Sequence, residues 1–164
     1  MSGVLSDTGI RRLIDSRALT GTSDILPDQI QPASLDLRLG HTAHRLRASF
    51  LTGKDATVAE RLDELEMHRI DLSDGAVLEK GCVYLVPLME RLSLPAGISA
   101  AANAKSSTGR LDLLTRTVID GGTEFDRVHG GYDGPLYAEI CPRSFSVLVR
   151  PGMRLNQIRF RDGQ

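Results

Sequence analysis

The chain has 164 residues, of which 41% are hydrophobic, and its 20 basic and 21 acidic side chains leave a formal net charge of −1. That is enough for one domain with its own core and no stapling disulfide or metal, while the interspersed charge, 4% aromatics and absent Trp argue against a nucleic-acid groove or a base-stacking platform. No apolar signal core opens the chain and no run approaches the ~20 apolar residues of a membrane helix, so the expectation is a soluble cytoplasmic protein whose phosphate ligand, if any, is a free nucleotide.

Ser6 and Asp7 are cap candidates, and Ile10, Leu13 and Ile14 recur at helical spacing behind them, which predicts a helix of about three turns. Residues 34–39 alternate as a strand, with Leu35, Leu37 and Leu39 on one face and Ser34, Asp36 and Arg38 on the other. Residues 48–56, with Gly53, Lys54 and Asp55, read as a loop. Thr57 and Glu60 then form a capping-box pattern ahead of a second helix striped by Val58, Leu62 and Leu65. Short strands follow at 77–78, 83–88, 98–102, 136–140, 145–149 and 155–160, punctuated by Gly75, Gly81, Pro95, Gly97, Pro142, Pro151 and Gly152. The pattern predicts a mainly β sandwich or barrel with two short helices, forming one domain over residues 1–164. Residues 121–134 are polar and bracketed by glycines, a loop length that is usually functional or mobile.

Residues 105–110, Lys-Ser-Ser-Thr-Gly-Arg, carry two cations, three hydroxyls and a glycine between apolar runs. A buried strand has no use for them, because each unpaired polar group costs ~1–3 kcal/mol on burial. An anion does: Arg110 offers a planar fork, Lys105 a point charge, and the hydroxyls of Ser106, Ser107 and Thr108 neutral donors, a set that suits a di- or triphosphate. The same residues also compose a solvated turn with a helix-capping Ser. Glu139, inside the otherwise apolar or small run 136–141, is the best proton-handling candidate. It either projects into a pocket, where partial burial would raise its pKa as a general base requires, or pairs with an Arg on a strand surface.

Asp36 reads as half of a structural Asp–Arg pair, or as a group that orders a loop or holds a metal-bound water. Asp120, Glu124 and Asp126 read as solvated, with one of them available to a sugar hydroxyl. Cys82 and Cys141 lack metal-type spacing and read as reduced thiols. His41, His44, His68 and His129 form no ligand pattern, and there is no H-x-E with P-C-x-x-C, so a zinc nucleobase deaminase is not expected. The P-loop, G-x-S-x-G and strand-linked G-x-G-x-x-G motifs are also missing.

Four segments, taken in order, resemble the dCTP deaminase/dUTPase superfamily. Gln31-Pro32-Ala33-Ser34-Leu35-Asp36-Leu37-Arg38-Leu39-Gly40 resembles its P-A-S-x-D-x-R-L-G strand, and residues 105–110 its [RK]-S-S-x-x-R motif. Gly131-Tyr132-Asp133-Gly134-Pro135-Leu136 through Glu139 resembles its G-[WY]-x-G…E hairpin, and Pro151-Gly152 with Asn156-Gln157-Ile158 its P-G…Q closing strand. The deaminase branch fits better than the diphosphatase branch. The resemblance implies a distorted β-barrel or jelly roll of the β-clip, dUTPase-like type, assembled as a homotrimer or pseudo-trimer with sites at subunit interfaces. It implies hydrolytic, zinc-independent removal of ammonia from C4 of dCTP to give dUTP, with Mg2+ carried by the triphosphate. Glu139 matches the general base, Ser106 and Arg110 the groups that fix the attacking water, Lys105 and Ser107 the phosphate grips, and Gln157 the closing-strand Gln.

Short deaminases read the base with a compact H-R-I-D-P-G-W run. Here residues 120–132 are longer, and only Arg127-Val128 resembles it, which makes Arg127 and Asp120 the substrate-contact candidates of that loop. Lys105 together with residues 138–143 looks most like the N-terminal half of long two-domain bacterial deaminases, implying a lid, and part of the site, in a second half. Two other readings compete: a dUTP diphosphatase using Asp120 to activate water, and a non-catalytic nucleotide-binding or oligomerisation module.

Overall fold

The computed structural model describes residues 3–163. It is mainly β, built from antiparallel strands. A first sheet runs β1 (Gly3–Val4), β13 (Asn156–Asp162), β8 (Ile98–Ala104), β10 (Arg127–Val128), with β3 (Leu35–Leu37) also paired to β13. A second runs β5 (Glu66–Asp71), β4 (Thr42–Leu46), β7 (Val83–Ser93), β11 (Asp133–Pro142), β9 (Leu113–Ile119), with β2 (Leu19–Gly21) paired to β7. A separate ribbon joins β6 (Ala76–Leu78) to β12 (Val147–Val149). Among the described residues neither large sheet closes on itself, so the jelly-roll part of the expectation holds better than the barrel part.

The core lies between the two large sheets. Leu35, Ala100, Ala102, Ile158 and Phe160 of the first pack in one cluster with Ala43, Tyr84, Val86, Leu136, Ala138 and Ile140 of the second. The alanine-rich β8 (Ile98–Ala104) suits this position, because small side chains let the facing sheet approach. Gly40 serves the same end: a Cβ there would sit 2.5 Å from the Pro87 carbonyl oxygen of β7.

Helix α1 (Asp7–Asp15) buries Ile10 and Leu13, and ends at Ser16 before Arg17 adopts φ 65°. Helix α2 (Val58–Leu65) starts where the capping box predicts: Thr57 Oγ1 accepts the Glu60 N–H and Glu60 Oε1 accepts the Thr57 N–H. Val58 drops into a smaller cluster with Leu46, Leu85 and Val118, with Phe50, Leu62, Leu65, Phe125 and Tyr137 packed against it. That cluster covers the outer face of the second sheet.

Three expectations change. Residues 106–109 form a one-turn helix, α3 (Ser106–Gly109), so there are three short α-helices and not two. The strand read over 34–39 narrows to Leu35–Leu37, and its polar face is buried as thoroughly as its apolar one. Asp36 and Arg38 are 2% and 4% exposed, and Arg38 is neutralised by Glu90, with Nε 2.7 Å from Oε2 and the backbone N–H on Oε1. Finally, β2, β4, β5, β9 and β10 carried no clear alternation. The β5 sequence Glu66-Met67-His68-Arg69-Ile70-Asp71 is mostly exposed at a sheet edge, where polarity is tolerated on both faces.

Candidate active site

One row of residues crosses the second sheet. Arg116 of β9 stands opposite Glu139 of β11, Glu139 opposite Leu85 of β7, Leu85 opposite His44 of β4, and His44 opposite Arg69 of β5. Strand alternation carries Glu139 to the outer face, away from the main core, because Ala138 and Ile140 take the core positions. It pairs with an Arg of the neighbouring strand, the second of the two alternatives expected from sequence, but the carboxylate is buried, at 3% exposed, and not solvated. Arg116 Nη2 donates to Glu139 Oε1 at 2.8 Å, and the Ser49 hydroxyl lies 2.8 Å from both carboxylate oxygens. Arg116 Nη2 also donates to Ser49 Oγ at 3.1 Å, and the guanidinium carbon sits 3.9 Å from the centroid of the Phe125 ring. Ser49 itself is exposed, on the loop between β4 and α2. The buried base candidate is thus separated from solvent by one hydroxyl. At the other end of the row, His44 Nδ1 lies 2.7 Å from Glu66 Oε1. His44 and Arg69 together hold Glu66 below the ordinary carboxylate range against the opposing effect of burial.

Ser106, Ser107 and Arg110 are exposed around α3, and among the described residues their side chains make no hydrogen bond or ion pair. Lys105 precedes the helix, and its ammonium contacts Asp36 Oδ2 at 2.5 Å. Thr108 faces inward, donating to the Leu155 carbonyl at 2.8 Å, while the Leu155 carbonyl also accepts the Lys105 N–H at 2.9 Å. These contacts pin the turn and leave the flanking donors outward. Asp36 is therefore half of a structural pair, but with Lys105 first and with Arg154 only at 3.7 Å. Its Oδ1 is buried without a hydrogen-bond partner among the described residues. Gln157 stands between Asp36 and Asn103 in register, with Nε2 3.5 Å from Asn103 Oδ1, so Lys105, Asp36 and Gln157 do converge.

The same chain does not bring α3 to Glu139. Leu113 pairs with Pro142, three residues along from the Arg116–Glu139 pair, or about 10 Å. Arg110 lies beyond that point, and no hydrogen bond or ion pair joins Ser106 or Arg110 to Glu139 among the described residues.

The glycine-bracketed loop is more ordered than its composition predicts. Asp120 Oδ1 accepts the Val58 N–H at 2.8 Å, which fixes the first turn of α2. Asp126, at φ 64°, accepts the Thr117 N–H at 2.7 Å, and burial pushes its carboxyl above the ordinary value. Neither is the solvated carboxylate expected from sequence; Glu124 is exposed as expected. Tyr132 is buried, donating to the Pro135 carbonyl at 2.6 Å and accepting the Asp120 N–H at 3.1 Å. Burial raises its phenol, and pushes that of Tyr137 up to about 12. An open cavity of about 660 Å3 lies beside this hairpin, lined by Lys54, Asp55, Asp120, His129, Tyr132 and Asp133 among others, and it reaches neither Glu139 nor α3. Arg127 is exposed on β10, in line with Arg159 across Ala101.

Sequence reasoning missed Arg116, Ser49 and Phe125. Arg116 carried a usable signal, as a charge inside Leu113-Leu114-Thr115-Arg116-Thr117-Val118-Ile119, the same anomaly that singled out Glu139. Ser49 had none, since 90 positions separate it from Glu139. Among the described residues no helix is long and apolar enough to cross a membrane, and no group of three or more His, Cys, Asp or Glu is placed to hold a metal.

This chain is similar to several known proteins. The crystal structure of 2'-deoxycytidine 5'-triphosphate deaminase from Agrobacterium tumefaciens is 57% identical, with a TM-score of 0.95 over 99% of this chain and 48% of that one. The chain thus spans about half the length of the Agrobacterium protein. The "dCTP deaminase, dUMP-forming" of Coprothermobacter proteolyticus is 32% identical over 158 residues, covering 96% of this chain and 81% of the relative. The "dCTP deaminase" of Natronomonas pharaonis is 29% identical over 160 residues, covering 96% and 79%. The profile of the 2'-deoxycytidine 5'-triphosphate deaminase (DCD) N-terminal domain matches residues 1–164, and the chain belongs to that family.

Proposed function

We propose that this domain carries the catalytic base of a deaminase that converts dCTP and water to dUTP and ammonia, without zinc. The observation that carries the reading is Glu139: a carboxylate 3% exposed, in the position matching the family's base, with one guanidinium and one exposed hydroxyl as its partners. Glu139 takes a proton from water, the hydroxide adds to C4 of cytosine, and the proton passes to the ring nitrogen. The C4–N4 bond then breaks with a second proton transfer through Glu139, releasing ammonia and leaving the C4 carbonyl. Such proton handling contributes about 10²–10⁴-fold. The Ser49 hydroxyl stands where the reacting water must sit, so the loop over residues 47–57 withdraws when nucleotide enters.

Ser106 and Arg110 fix the water and the developing charge, Lys105, Ser107 and Gln157 take the phosphates, and Mg2+ arrives with the triphosphate. The loop that carries Asp120, together with Arg127 on β10, faces the base and sugar. Because α3 and Glu139 lie apart within one chain, the site is completed between copies, Glu139 of one copy meeting Ser106 and Arg110 of another in a homo-oligomer. A dUTP diphosphatase is less well supported, since the aspartate it needs is engaged at the start of α2.

The test is to incubate the protein with dCTP, and separately with dUTP, in the presence of Mg2+, while measuring ammonia, dUTP, dUMP and pyrophosphate. Ammonia with dUTP from dCTP is the expected result. Pyrophosphate from dUTP without ammonia from dCTP would establish the diphosphatase, and both products from dCTP would make the enzyme dUMP-forming. Nucleotide binding with no product would leave a non-catalytic module.

A further inference from the structure

Resting on the reading of Glu139 as the base, we infer that Arg116 is its positioning residue, and that the Phe125 ring and the Arg116 guanidinium together select which carboxylate oxygen works. Arg116 Nη2 contacts Oε1 alone, at 2.8 Å. Ser49 touches both oxygens, so its withdrawal leaves Oε1 still held and Oε2 free for the reacting water. The direct cross-strand register of Arg116 and Glu139 fixes their separation through the β9–β11 ladder and not through flexible loops.

The contact also differs from an ordinary structural pair. A guanidinium placed only to neutralise a carboxylate commonly binds it through two parallel N–H bonds. Here one nitrogen makes the contact, the guanidinium carbon sits over the Phe125 ring, and the Nε–H is buried without a hydrogen-bond partner among the described residues. The aromatic ring therefore supports the guanidinium from one side, and the guanidinium sets the rotation of the carboxylate. Displacing a reacting group by about 1 Å can cost about 10²-fold in rate, so an orientation error is enough to matter.

The experiment is steady-state deamination of dCTP by the complete natural protein and by Arg116→Met, Arg116→Lys, Phe125→Leu and Glu139→Gln, with thermal melting of each. Arg116→Met is expected to lose about 10²-fold in kcat with KM changed less than about threefold, the signature of an interaction needed in the transition state. Arg116→Lys keeps the charge but not the flat fork, and is expected to fall between Arg116→Met and the wild type. Phe125→Leu should cost about threefold in kcat, in keeping with a half-buried cation–π contact. A further variant, Arg116→Ala, should lose as much as Arg116→Met and recover activity when guanidinium ion is added at concentrations that leave melting unchanged. If Glu139→Gln retains wild-type kcat, the base assignment fails and this inference with it. If Glu139→Gln is inactive while folded Arg116→Met or Arg116→Lys keeps wild-type kcat, the positioning role alone is overturned. A parallel fall in kcat and melting temperature without rescue would likewise overturn it in favour of a structural pair.

Discussion

Two charged regions of this domain are built on opposite plans. Around Glu139 the charge is buried, its partners come from the same chain, and a ladder of backbone hydrogen bonds holds the geometry. Around α3 the donors of Ser106, Ser107 and Arg110 stand in solvent, and only the base of the turn is anchored, through Lys105–Asp36 and Thr108–Leu155. The first region is preorganised by folding. The second leaves its donors without partners among the described residues. The contrast teaches that the domain separates the carboxylate proposed to move protons from the donors proposed to grip an anion, and that folding one copy does not by itself unite them.

The largest effect belongs to the buried region. Glu139→Gln keeps the shape and a hydrogen-bond acceptor but not the base, and should lower kcat for dCTP by about 10²–10⁴-fold. Ammonia release followed against nucleotide concentration checks it, and undiminished kcat would remove Glu139 from the chemistry. Arg110→Ala comes next. Loss of a donor to developing charge costs about 10²–10³-fold, while melting should hardly move, because exposed side chains without partners change stability by under about 0.5 kcal/mol. A large drop in melting temperature would mean that the α3 donors are not free after all.

Much of this contrast was legible in the residues. The Thr57–Glu60 capping box marked α2 correctly because capping is local, within three positions. Glu139 stood out as a charge in an apolar run, and its burial follows from that run. What could not be read was long-range. Nothing at Asp36 announces Lys105, 69 positions away, and the polar face of β3 gave no hint that Arg38 would meet a buried Glu90. The loop carboxylates were misread for the same reason: Asp120 reaches back 62 positions to α2. Composition marks a segment as polar but not which backbone amide it will serve.

Smaller effects sharpen the comparison from the scaffold side. Asp120→Ala leaves the Val58 N–H without its acceptor and should destabilise the domain by about 1 kcal/mol, the usual value of a lost helix-start bond. Urea unfolding checks it, with a lowered midpoint at constant slope. No change would mean that the first turn of α2, which covers the Glu139 face, needs no help from the hairpin.

Asp126→Asn is the smallest. Burial raises the Asp126 carboxyl, so the folded state holds the proton more tightly than the unfolded chain does. That contribution to stability is complete below the ordinary carboxylate pKa and is lost as pH rises through the raised value. Asn keeps the acceptor for the Thr117 N–H and tolerates φ 64°. The variant should therefore gain on the wild type between acid and neutral pH. Melting both proteins across that range checks it, and a variant that falls behind at neutral pH would count against the assignment.

The central claim, that the two regions form one site only between copies, is tested most directly by complementation. Glu139→Gln and Arg110→Ala proteins, each inactive alone, are co-assembled in equal amounts and assayed for ammonia release from dCTP. A site shared between copies predicts recovery to about a quarter of native activity, because half the copies supply an intact Glu139 and half an intact Arg110. Activity no greater than the sum of the two separate variants would contradict it, and would place both groups of a working site in the same copy.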